Sequence, residues 1–409
     1  MKHDKIAIIG GGASGLTAAI IAARNGAFVT VLERNDRVGK KIPATGNGRC
    51  NLTNMRCSTA NYHGRDPSFV KKSLDLVPPA KVREFFRSLG VITIEEDQGR
   101  VYPLTGQASA ILDALRFETS RLHVETITGV GVTSVLPAPE KFTIKSNKGT
   151  FTYDKLLIAA GGCALPSLGG TDSGLRIMQQ LGHSLLEPYP ALVPLKTDFR
   201  YGRQLKGVKV QADAVLEIEG KTVSKESGEF LFTEYGLSGI PILQFSLRAG
   251  NAISGKERVK ILFDLFPMFT EAQLSSEIQS RLTSRPDEPA EQLFTGLIHK
   301  KLIPVACREN GLDNMRTPAK EFPISFTARC ARFLKNWEFT VNGTLSFNDA
   351  QVMGGGITTS EFDSSTMESR IVKNLYACGE LLDITGDCGG YNLHWAWSSG
   401  YIAGSRAST

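Results

Sequence analysis

The sequence lacks the cysteine patterns that specify disulfide frameworks or metal sites. Its 409 residues contain seven cysteines at irregular spacings, with no C-x-x-C pair and no cysteine–histidine cluster. An odd number of scattered cysteines is typical of free thiols in a reducing compartment. The sequence therefore predicts a cytoplasmic protein that has no resident metal ion.

Blocks of like charge and uninterrupted apolar runs are also missing. The net charge of +6 is spread along the chain without a Lys/Arg-rich segment, which favours a small anionic ligand over nucleic acid. The charge-free run over 6–23 has the length of a membrane span, but glycines at 10–12 and 15 interrupt it. A buried strand, a glycine turn and a buried helix explain this run better than a signal peptide or a membrane helix. We expect a small-molecule substrate and neither nucleic acid nor a membrane as partner, and the oligomeric state stays open.

The strongest positive signal is a dinucleotide-binding pattern near the N-terminus. The segment KIAII (5–9) predicts a buried strand, GGGASG (10–15) matches G-x-G-x-x-G, residues 16–25 predict a helix, and FVTVL (28–32) predicts a strand that ends at Glu33. The glycines allow a tight turn, a close approach to a pyrophosphate and close packing of helix on strand. An acid at the end of the second strand binds ribose hydroxyls and disfavours a 2′-phosphate, so the pattern predicts FAD or NAD.

A second glycine-rich helix start decides between these two cofactors. The segment GDCGGYN (386–392) precedes a predicted helix over 393–403, and predicted strands over 155–162 and 375–380 end in glycine or an acid. NAD needs no second site of this kind, whereas FAD extends from its phosphates to a distant isoalloxazine ring. A helix N-terminus beside the N1–C2=O region of that ring stabilises the anionic reduced flavin. The sequence therefore predicts FAD.

In these motifs the chain resembles the BaiN/YhiN-like group of bacterial NAD(P)/FAD-dependent oxidoreductases, within the glutathione-reductase-type flavoprotein superfamily. The similarity runs nearly end to end, and its most specific part is the block over 377–404. The other matching segments are GGGASGL (10–16), ATGNGRCNLTN (44–54), GRVYPLTGQASAILDAL (99–115), AAGGCALPSLGGTDSG (159–174), PALVPL (190–195), FTEYGLSGIPILQFS (232–246), the glycine segment at 354–358 and TMESR (366–370).

The resemblance implies an α/β fold in which both chain ends build a Rossmann-like FAD-binding domain, with an inserted β-barrel-like subdomain and a small helical subdomain. The expected boundaries are 1–190 with 347–409 for the FAD-binding domain, 191–268 with 323–346 for the β-rich substrate subdomain, and 269–322 for the helical subdomain. The sequence pattern agrees, because residues 205–262 alternate as strands do and residues 270–320 show helical periodicity.

The residues expected to bind FAD belong to the two glycine-rich motifs and to the polar loops that resemble the family's. They are Gly10, Gly12, Ala13, Ser14, Gly15, Glu33, Arg34, Lys40, Lys41, Thr45, Gly46, Asn47, Gly48, Arg49, Cys50, Asn51, Val132, Ala160, Gly161, Gly379, Glu380, Asp383, Gly389, Gly390, Tyr391 and Asn392. In this interpretation the loop over 44–54 and the loop over 386–392 hold the flavin ring from two sides.

Three side chains are candidates for chemistry. Cys50 could be a redox-active thiol, alone or with Cys57, although the C-x6-C spacing departs from the C-x4-C pair of the superfamily's dithiol enzymes. The alternative for Cys50 is a packing role in the loop. His394 could be a general acid or a packed helix residue, and Tyr102 could line the substrate side or be an ordinary turn aromatic.

The resemblance implies an NAD(P)H-linked reductase of a polarised C=C bond in an enone such as a bile-acid or steroid-like substrate. Two alternatives stay open: an aminoacetone-type oxidase of small amines that produces hydrogen peroxide, and an RNA-binding or tRNA-modifying flavoprotein. The segment GGTDSG (169–174) lacks the preceding strand of a second nucleotide motif. NADH or NADPH is therefore expected only as a transient electron donor without its own Rossmann unit.

Overall fold

The computed structural model describes residues 4–409. The strands are β1 (Lys5–Ile9), β2 (Phe28–Leu32), β3 (Thr53–Asn54), β4 (Tyr62–His63), β5 (Thr93–Glu95), β6 (Arg100–Pro103), β7 (Glu125–Ile127), β8 (Val132–Ala138), β9 (Lys141–Ser146), β10 (Gly149–Tyr153), β11 (Lys155–Ile158), β12 (Leu185–Ala191), β13 (Leu195–Thr197), β14 (Lys209–Ile218), β15 (Lys221–Phe232), β16 (Gly236–Ser238), β17 (Val259–Asp264), β18 (Trp337–Thr344), β19 (Val352–Ile357), β20 (Leu375–Ala377) and β21 (Thr385–Gly386). The α-helices are α1 (Ala13–Arg24), α2 (Val70–Leu76), α3 (Pro79–Ser88), α4 (Ala108–Arg121), α5 (Ser173–Gln180), α6 (Gly202–Leu205), α7 (Ile240–Ser254), α8 (Glu271–Ser284), α9 (Ala290–Phe294), α10 (Ile303–Glu309), α11 (Phe326–Lys335) and α12 (Tyr391–Ala407).

The first of two compact units joins the chain up to Ala191 to Phe347–Thr409. Its centre is a parallel five-stranded sheet in the order β20-β11-β1-β2-β7. Four consecutive apolar residues of β1 are buried, as expected for a parallel strand that is covered on both faces. The sheet confirms the predicted Rossmann-like α/β fold, and β1 and β2 have the predicted bounds.

Glycines let the last helix of this unit approach the first one closely. A Cβ atom at Gly400 would overlap the carbonyl oxygen of Ser14, and one at Gly404 would overlap that of Ala18. Both glycines lie on α12, and both carbonyls belong to α1. The C-terminal helix therefore packs directly on the helix that follows the first glycine motif, at a distance that no other residue type permits.

The second unit, Leu192–Ser346, contains a closed barrel in the strand order β13-β16-β15-β14-β17-β18. This barrel confirms the predicted β-barrel-like subdomain. The helices α8, α9 and α10 lie inside the segment predicted to be helical, and side chains such as Leu274 and Ile278 share one apolar core with the barrel residues Phe263 and Phe339. The boundary proposed between a barrel and a helical subdomain stays a prediction.

Two helices of this unit, α7 and α11, lie in segments that were predicted to be rich in strands. The prediction of alternating strands over 205–262 is wrong for α7, which begins after Gly239 with Pro241 in its first turn and buries Ile242, Phe245 and Ala249 along one face. Pro is favoured in a first turn, and this three-to-four-residue spacing is helical.

The β-rich segment 323–346 likewise includes α11 before β18. In α11 the buried positions are Phe326, Thr327, Cys330, Ala331 and Leu334. These positions recur at helical spacing, so they form one largely apolar face.

Candidate functional site

A long cleft in the first unit follows the ends of β1, β2 and β11. Its lining runs from Glu33 and Asn35 at one end to Asn392 and Leu393 at the other. Open α/β sheets bind ligands at the carboxyl ends of their strands, where the strand order reverses. The predicted cofactor residues that line this cleft are Gly10, Gly12, Ala13, Ser14, Glu33, Arg34, Lys40, Lys41, Thr45, Val132, Ala160, Gly161, Glu380 and Asn392.

The first glycine motif has the geometry that a pyrophosphate requires. A Cβ atom at Gly10 would overlap the Ala159 carbonyl oxygen, and one at Gly15 would overlap the Gly10 carbonyl oxygen, so these two glycines allow the strand–turn–helix packing. At Gly12, in contrast, a Cβ atom would meet nothing within 4 Å. The open side of Gly12 lies at the start of α1, where unpaired N–H groups and the helix dipole favour a phosphate.

Glu33 holds the turn at the end of β2. Its Oε2 accepts a hydrogen bond from the N–H of Gly11 at 2.8 Å, and its Oε1 accepts bonds from the backbone and side-chain N–H groups of Asn35, each at 2.7 Å. The two bonds from Asn35 occupy Oε1, whereas Oε2 accepts a single bond and keeps a lone pair for a ribose hydroxyl. Asn35 was not predicted from the sequence, yet it fixes the orientation of this carboxylate.

Glu380 joins three separate segments at the middle of the cleft. Its carboxylate accepts hydrogen bonds from the N–H groups of Gly162, at 3.2 Å, and Met353, at 2.8 Å, and lies 3.5 Å from the ammonium of Lys41. The neighbouring Lys40 pairs with Asp36 at 3.0 Å. These contacts place two cations and one anchored carboxylate along the same wall.

The two polar loops, 44–54 and 386–392, meet at the far end of the cleft. The Asn54 side chain donates to the Gly389 carbonyl oxygen at 3.1 Å. A Cβ atom at Gly390, which has φ of 101°, would lie 2.7 Å from the Thr53 carbonyl oxygen. The start of α12 is therefore held against the first loop by backbone contacts that need glycine.

The Asn392 side chain braces the second loop from inside. It accepts a bond from the Gly386 N–H at 2.8 Å and donates to the Gly386 carbonyl oxygen at 2.7 Å. The cleft therefore offers glycine turns, cations, a carboxylate and helix N-termini at both ends, and these residues fit a two-armed dinucleotide such as FAD.

Several predicted cofactor residues lie beside the cleft rather than on its lining. They are Gly15, Gly46, Asn47, Gly48, Arg49, Cys50, Asn51, Gly379, Asp383, Gly389, Gly390 and Tyr391. Asp383, for example, is buried, and its carboxylate accepts from the Arg65 N–H at 2.7 Å. Asn51 accepts from the Val101 N–H at 3.3 Å. The roles of these residues towards a cofactor stay predictions.

Part of the lining of the cleft was not predicted from the sequence. The additional residues are Ile9, Gly11, Leu32, Asn35, Gly39, Ile42, Val130, Ala159, Leu168, Gly169, Thr171, Ser173, Ile177, Gln351, Val352, Ile384, Leu393, Trp395 and Ala396. The segment GGTDSG supplies three of these residues and leads into α5, so it belongs to the first cleft and forms no second nucleotide motif. The same glycine-rich segment was visible in the sequence, but its position next to the first motif was not.

Tyr102 lies under a guanidinium group. The Arg49 carbon Cζ stands 4.1 Å from the centre of the Tyr102 ring, and two N–H groups of Arg49 donate to the carboxylate of Glu96. Tyr102 is nearly buried. The arrangement fixes the Arg49 side chain by a cation–π contact and a bidentate ion pair.

Cys50 lies beneath its loop with no access to solvent. The residue has a left-handed backbone, with φ of 59°, and burial raises the pKa of its thiol to about 12 despite a hydrogen bond with Thr45. Cys57 is also free, and burial raises its pKa to about 11 while a contact with Tyr62 opposes the shift. These environments favour neutral thiols and a packing role.

His394 is enclosed in the first turn of α12. Its Nδ1 lies 2.8 Å from the Thr53 hydroxyl, whereas its Nε2 is buried without a partner among residues 4–409. Burial lowers the pKa of His394 to about 4. Because the imidazole is neutral and inaccessible, a general-acid role is disfavoured. Its contact with Thr53 instead links the first loop to α12.

Among the described residues, no group of three or more His, Cys, Asp or Glu side chains is placed to hold a metal ion. Within the same part of the chain, no helix is both long enough and apolar enough to cross a bilayer.

We predict that iodoacetamide leaves Cys50 unmodified in the native protein at neutral pH, because its raised pKa and burial keep the thiolate population very small. Peptide mapping by mass spectrometry measures the modification. Denatured protein is the positive control, in which all seven cysteines should react. Rapid native alkylation of Cys50 would contradict the packing role, and a Cys57→Ser variant separates the two neighbouring sites.

His394 should make the fold sensitive to acid. The unfolded chain takes up a proton near pH 6.5 that the native state refuses until about pH 4. The free energy of unfolding should therefore fall by up to about 3 kcal/mol as the pH drops through this range. Denaturant unfolding of His394→Asn, which keeps an acceptor for Thr53, should show a weaker loss, while His299→Asn at an exposed site should match the wild type. Equal pH slopes in all three proteins would refute this prediction.

Comparison with known proteins shows similarity along the full chain. The sequence is 38% identical over 409 residues to the 3-dehydro-bile acid delta(4,6)-reductase of Clostridium scindens, and the match covers 99% of each chain. It is 32% identical to the ribosomal RNA dihydrouridine synthase of Haemophilus influenzae, with 98% of this chain and 97% of the relative covered.

A solved structure supports the fold alone. The 3-ketosteroid delta1-dehydrogenase of Sterolibacterium denitrificans aligns over 100% of both chains with a TM-score of 0.51 and 13% identity. The family model described as HI0933-like protein Rossmann domain matches residues 4–406. These matches confirm the resemblance drawn from the motifs, and the chain belongs to the HI0933-like family.

Proposed function

We propose that the chain is an FAD-dependent reductase that uses NADH or NADPH to saturate a C=C bond conjugated to a carbonyl group. The observation that carries this proposal is the cleft, which combines a pyrophosphate turn at one end with a second glycine-rich helix start at the other. A two-armed cofactor needs both ends. When bound, FAD supplies the hydride from its N5 atom.

The named activities of the relatives share one chemical step. The Δ4 double bond of a 3-oxo steroid and the C5=C6 bond of uracil are both conjugated to a carbonyl group. Hydride adds to the far carbon of such a system, and the negative charge that develops is spread onto the oxygen. A reductase of this class therefore needs a fixed hydride source, a polar group for the oxygen and a source of one proton.

Residues along the cleft would hold the cofactor that supplies the hydride. Glu33 and the open side of Gly12 anchor the nucleotide arm, and the cations Lys40 and Lys41 offset phosphate charge. The α12 N-terminus, braced by Asn392, supplies a positive dipole end for the ring. Glu33 and Asn392 are held by hydrogen bonds to backbone groups, so they need little rearrangement when the cofactor binds.

A bile-acid or steroid-like enone is the first substrate candidate, because the relative with that activity shares 38% of the sequence. A uracil ring in RNA is the second candidate, because a full-length relative at 32% identity has that activity. The even distribution of the +6 net charge favours the small molecule. The amine-oxidase alternative has no comparable support.

Glu33→Gln should weaken FAD binding by about tenfold, since a neutral amide accepts hydrogen bonds from ribose less strongly than a carboxylate does. Fluorescence titration of the cofactor-free protein with FAD measures this change. The exposed Glu140→Gln variant is the control and should bind as the wild type does. Unchanged affinity in Glu33→Gln would remove the ribose role of Glu33.

The reductase proposal predicts that NADH or NADPH bleaches the bound flavin without oxygen. A 4-en-3-one steroid should then restore the oxidised spectrum and appear as its saturated product by mass spectrometry. Restoration by a uridine-containing RNA fragment, and not by the steroid, would select the second candidate. Peroxide release with aminoacetone in air, with no reaction of either acceptor, would overturn the proposal.

A further inference from the structure

Saturation of a conjugated C=C bond consumes a proton as well as a hydride, and the sequence-based acid candidates are poorly placed to supply it. His394 and Cys50 are closed off from solvent, and Tyr102 is nearly buried beneath Arg49. A proton donor must reach the substrate and then recover its proton from water. A different histidine, His63, is partly exposed and lies on a strand that pairs with the segment before α12.

His63 forms a hydrogen-bonded dyad with Asp387. The ring Nε2 lies 2.7 Å from Asp387 Oδ1, and the two side chains are each 20% exposed. Asn61 holds the carboxylate, because its side-chain N–H donates to Oδ2 at 3.2 Å and its carbonyl oxygen accepts from the Asp387 N–H at 2.9 Å. A carboxylate on one ring nitrogen fixes the imidazole and leaves Nδ1 for proton transfer.

The combination of a carboxylate partner and an accessible ring separates His63 from the other histidines of residues 4–409. His183 also pairs with a carboxylate, Glu361, but its side chain is 0% exposed and its Nε2 contacts the Ser369 hydroxyl. His394 is likewise enclosed. The exposed His123 and His299 have no ion pair with a carboxylate.

Strand pairing and one side-chain contact connect the His63–Asp387 dyad to residues next to the cleft. In the antiparallel pair of β4 and β21, His63 stands opposite Thr385, so their Cα atoms are about 5 Å apart and their side chains share a face. The Thr385 hydroxyl donates to the Met353 carbonyl oxygen at 2.9 Å. Ile384, which precedes Thr385, and Val352, which precedes Met353, both line the cleft. The dyad also contacts the lining through its carboxylate residue, because the side-chain N–H of Asn392, which lines the cleft, donates to the Asp387 carbonyl oxygen at 3.4 Å.

We propose that His63, oriented by Asp387, is the acid that protonates the substrate, an inference that rests on the proposed function. The hydride forms a C–H bond at the carbon remote from the carbonyl group, and the π electrons move towards the carbonyl oxygen. The Nδ1–H bond of the imidazolium breaks and its proton goes to the carbon next to the carbonyl. The cofactor is oxidised by two electrons, the C=C bond is reduced, and His63 regains a proton from water. His63 is a catalytic residue in this assignment, and Asp387 is a positioning residue.

The test separates the two half-reactions by stopped-flow absorbance on the holoenzyme. In His63→Gln, anaerobic flavin reduction by the nicotinamide should stay within about twofold of the wild type, while reoxidation by the 4-en-3-one steroid slows about 100-fold or more. Asp387→Asn should give a smaller loss in the same step. His299→Gln is the matched control and should behave as the wild type does. Added imidazole should restore reoxidation in His63→Ala, which a purely structural role cannot explain.

A second readout does not depend on turnover. In ¹⁵N-labelled holoenzyme, NMR should show a hydrogen-bonded Nε2–H signal that disappears in His63→Gln and weakens in Asp387→Asn. The ring signals should shift when the saturated ketone product is added. A product that leaves the His63 signals unchanged would place the ring outside the substrate site and overturn the assignment.

The outcomes distinguish this inference from the proposed function. If reduced wild-type protein reacts with no conjugated carbonyl substrate, the proposed function fails, and this inference fails with it. If the wild type reacts and His63→Gln reoxidises equally fast, only the assignment of His63 is wrong. If His63→Gln is slow, is not rescued in the Ala variant and loses FAD in parallel, His63 merely joins β4 to β21.

Discussion

The cleft depends on backbone-to-backbone contact between segments from opposite parts of the sequence. Gly400 and Gly404 let α12 lie against the carbonyl groups of α1, and Gly390 brings the start of α12 against Thr53. A methyl group at any of these positions would push the helix away and widen the cleft. Close packing is usually secured by interlocking side chains, but here it is secured by their absence.

Polar residues near the start of α12 serve mainly to hold the walls of the cleft together. The Thr53–His394 contact, the Trp397 indole bond to the Leu52 carbonyl oxygen at 3.0 Å and the Asn54 bond to Gly389 all connect the first loop to α12 or its leading turn. These groups are buried, so each would cost free energy if left unpaired. A fixed site of this kind suits chemistry that the cofactor itself supplies, with accessible side chains such as His63 added at the edge.

The sequence predicted what is encoded locally. The strand, glycine turn, helix and acid of the first motif lie within 30 residues, and the structure reproduces their order because each has a specific local signature. Helix α7 was misread, since its apolar residues also fit a strand pattern when only short windows are considered. The far wall of the cleft and the His63–Asp387 dyad were out of reach, because pairing of β4 with β21 joins positions 324 residues apart.

The chain passes between the two units twice. The positions of these two crossings affect how the protein folds and how its sequence can diverge in evolution. In the first unit Ala191 pairs with Val352, and in the second Leu195 pairs with Thr344. Each unit thus holds its two crossing points side by side. Once the barrel has formed, closing the first unit costs the entropy of a short loop rather than that of the whole inserted segment. The insert can therefore change its length and surface over evolutionary time while the nucleotide cleft, which is built from the first unit alone, is left intact.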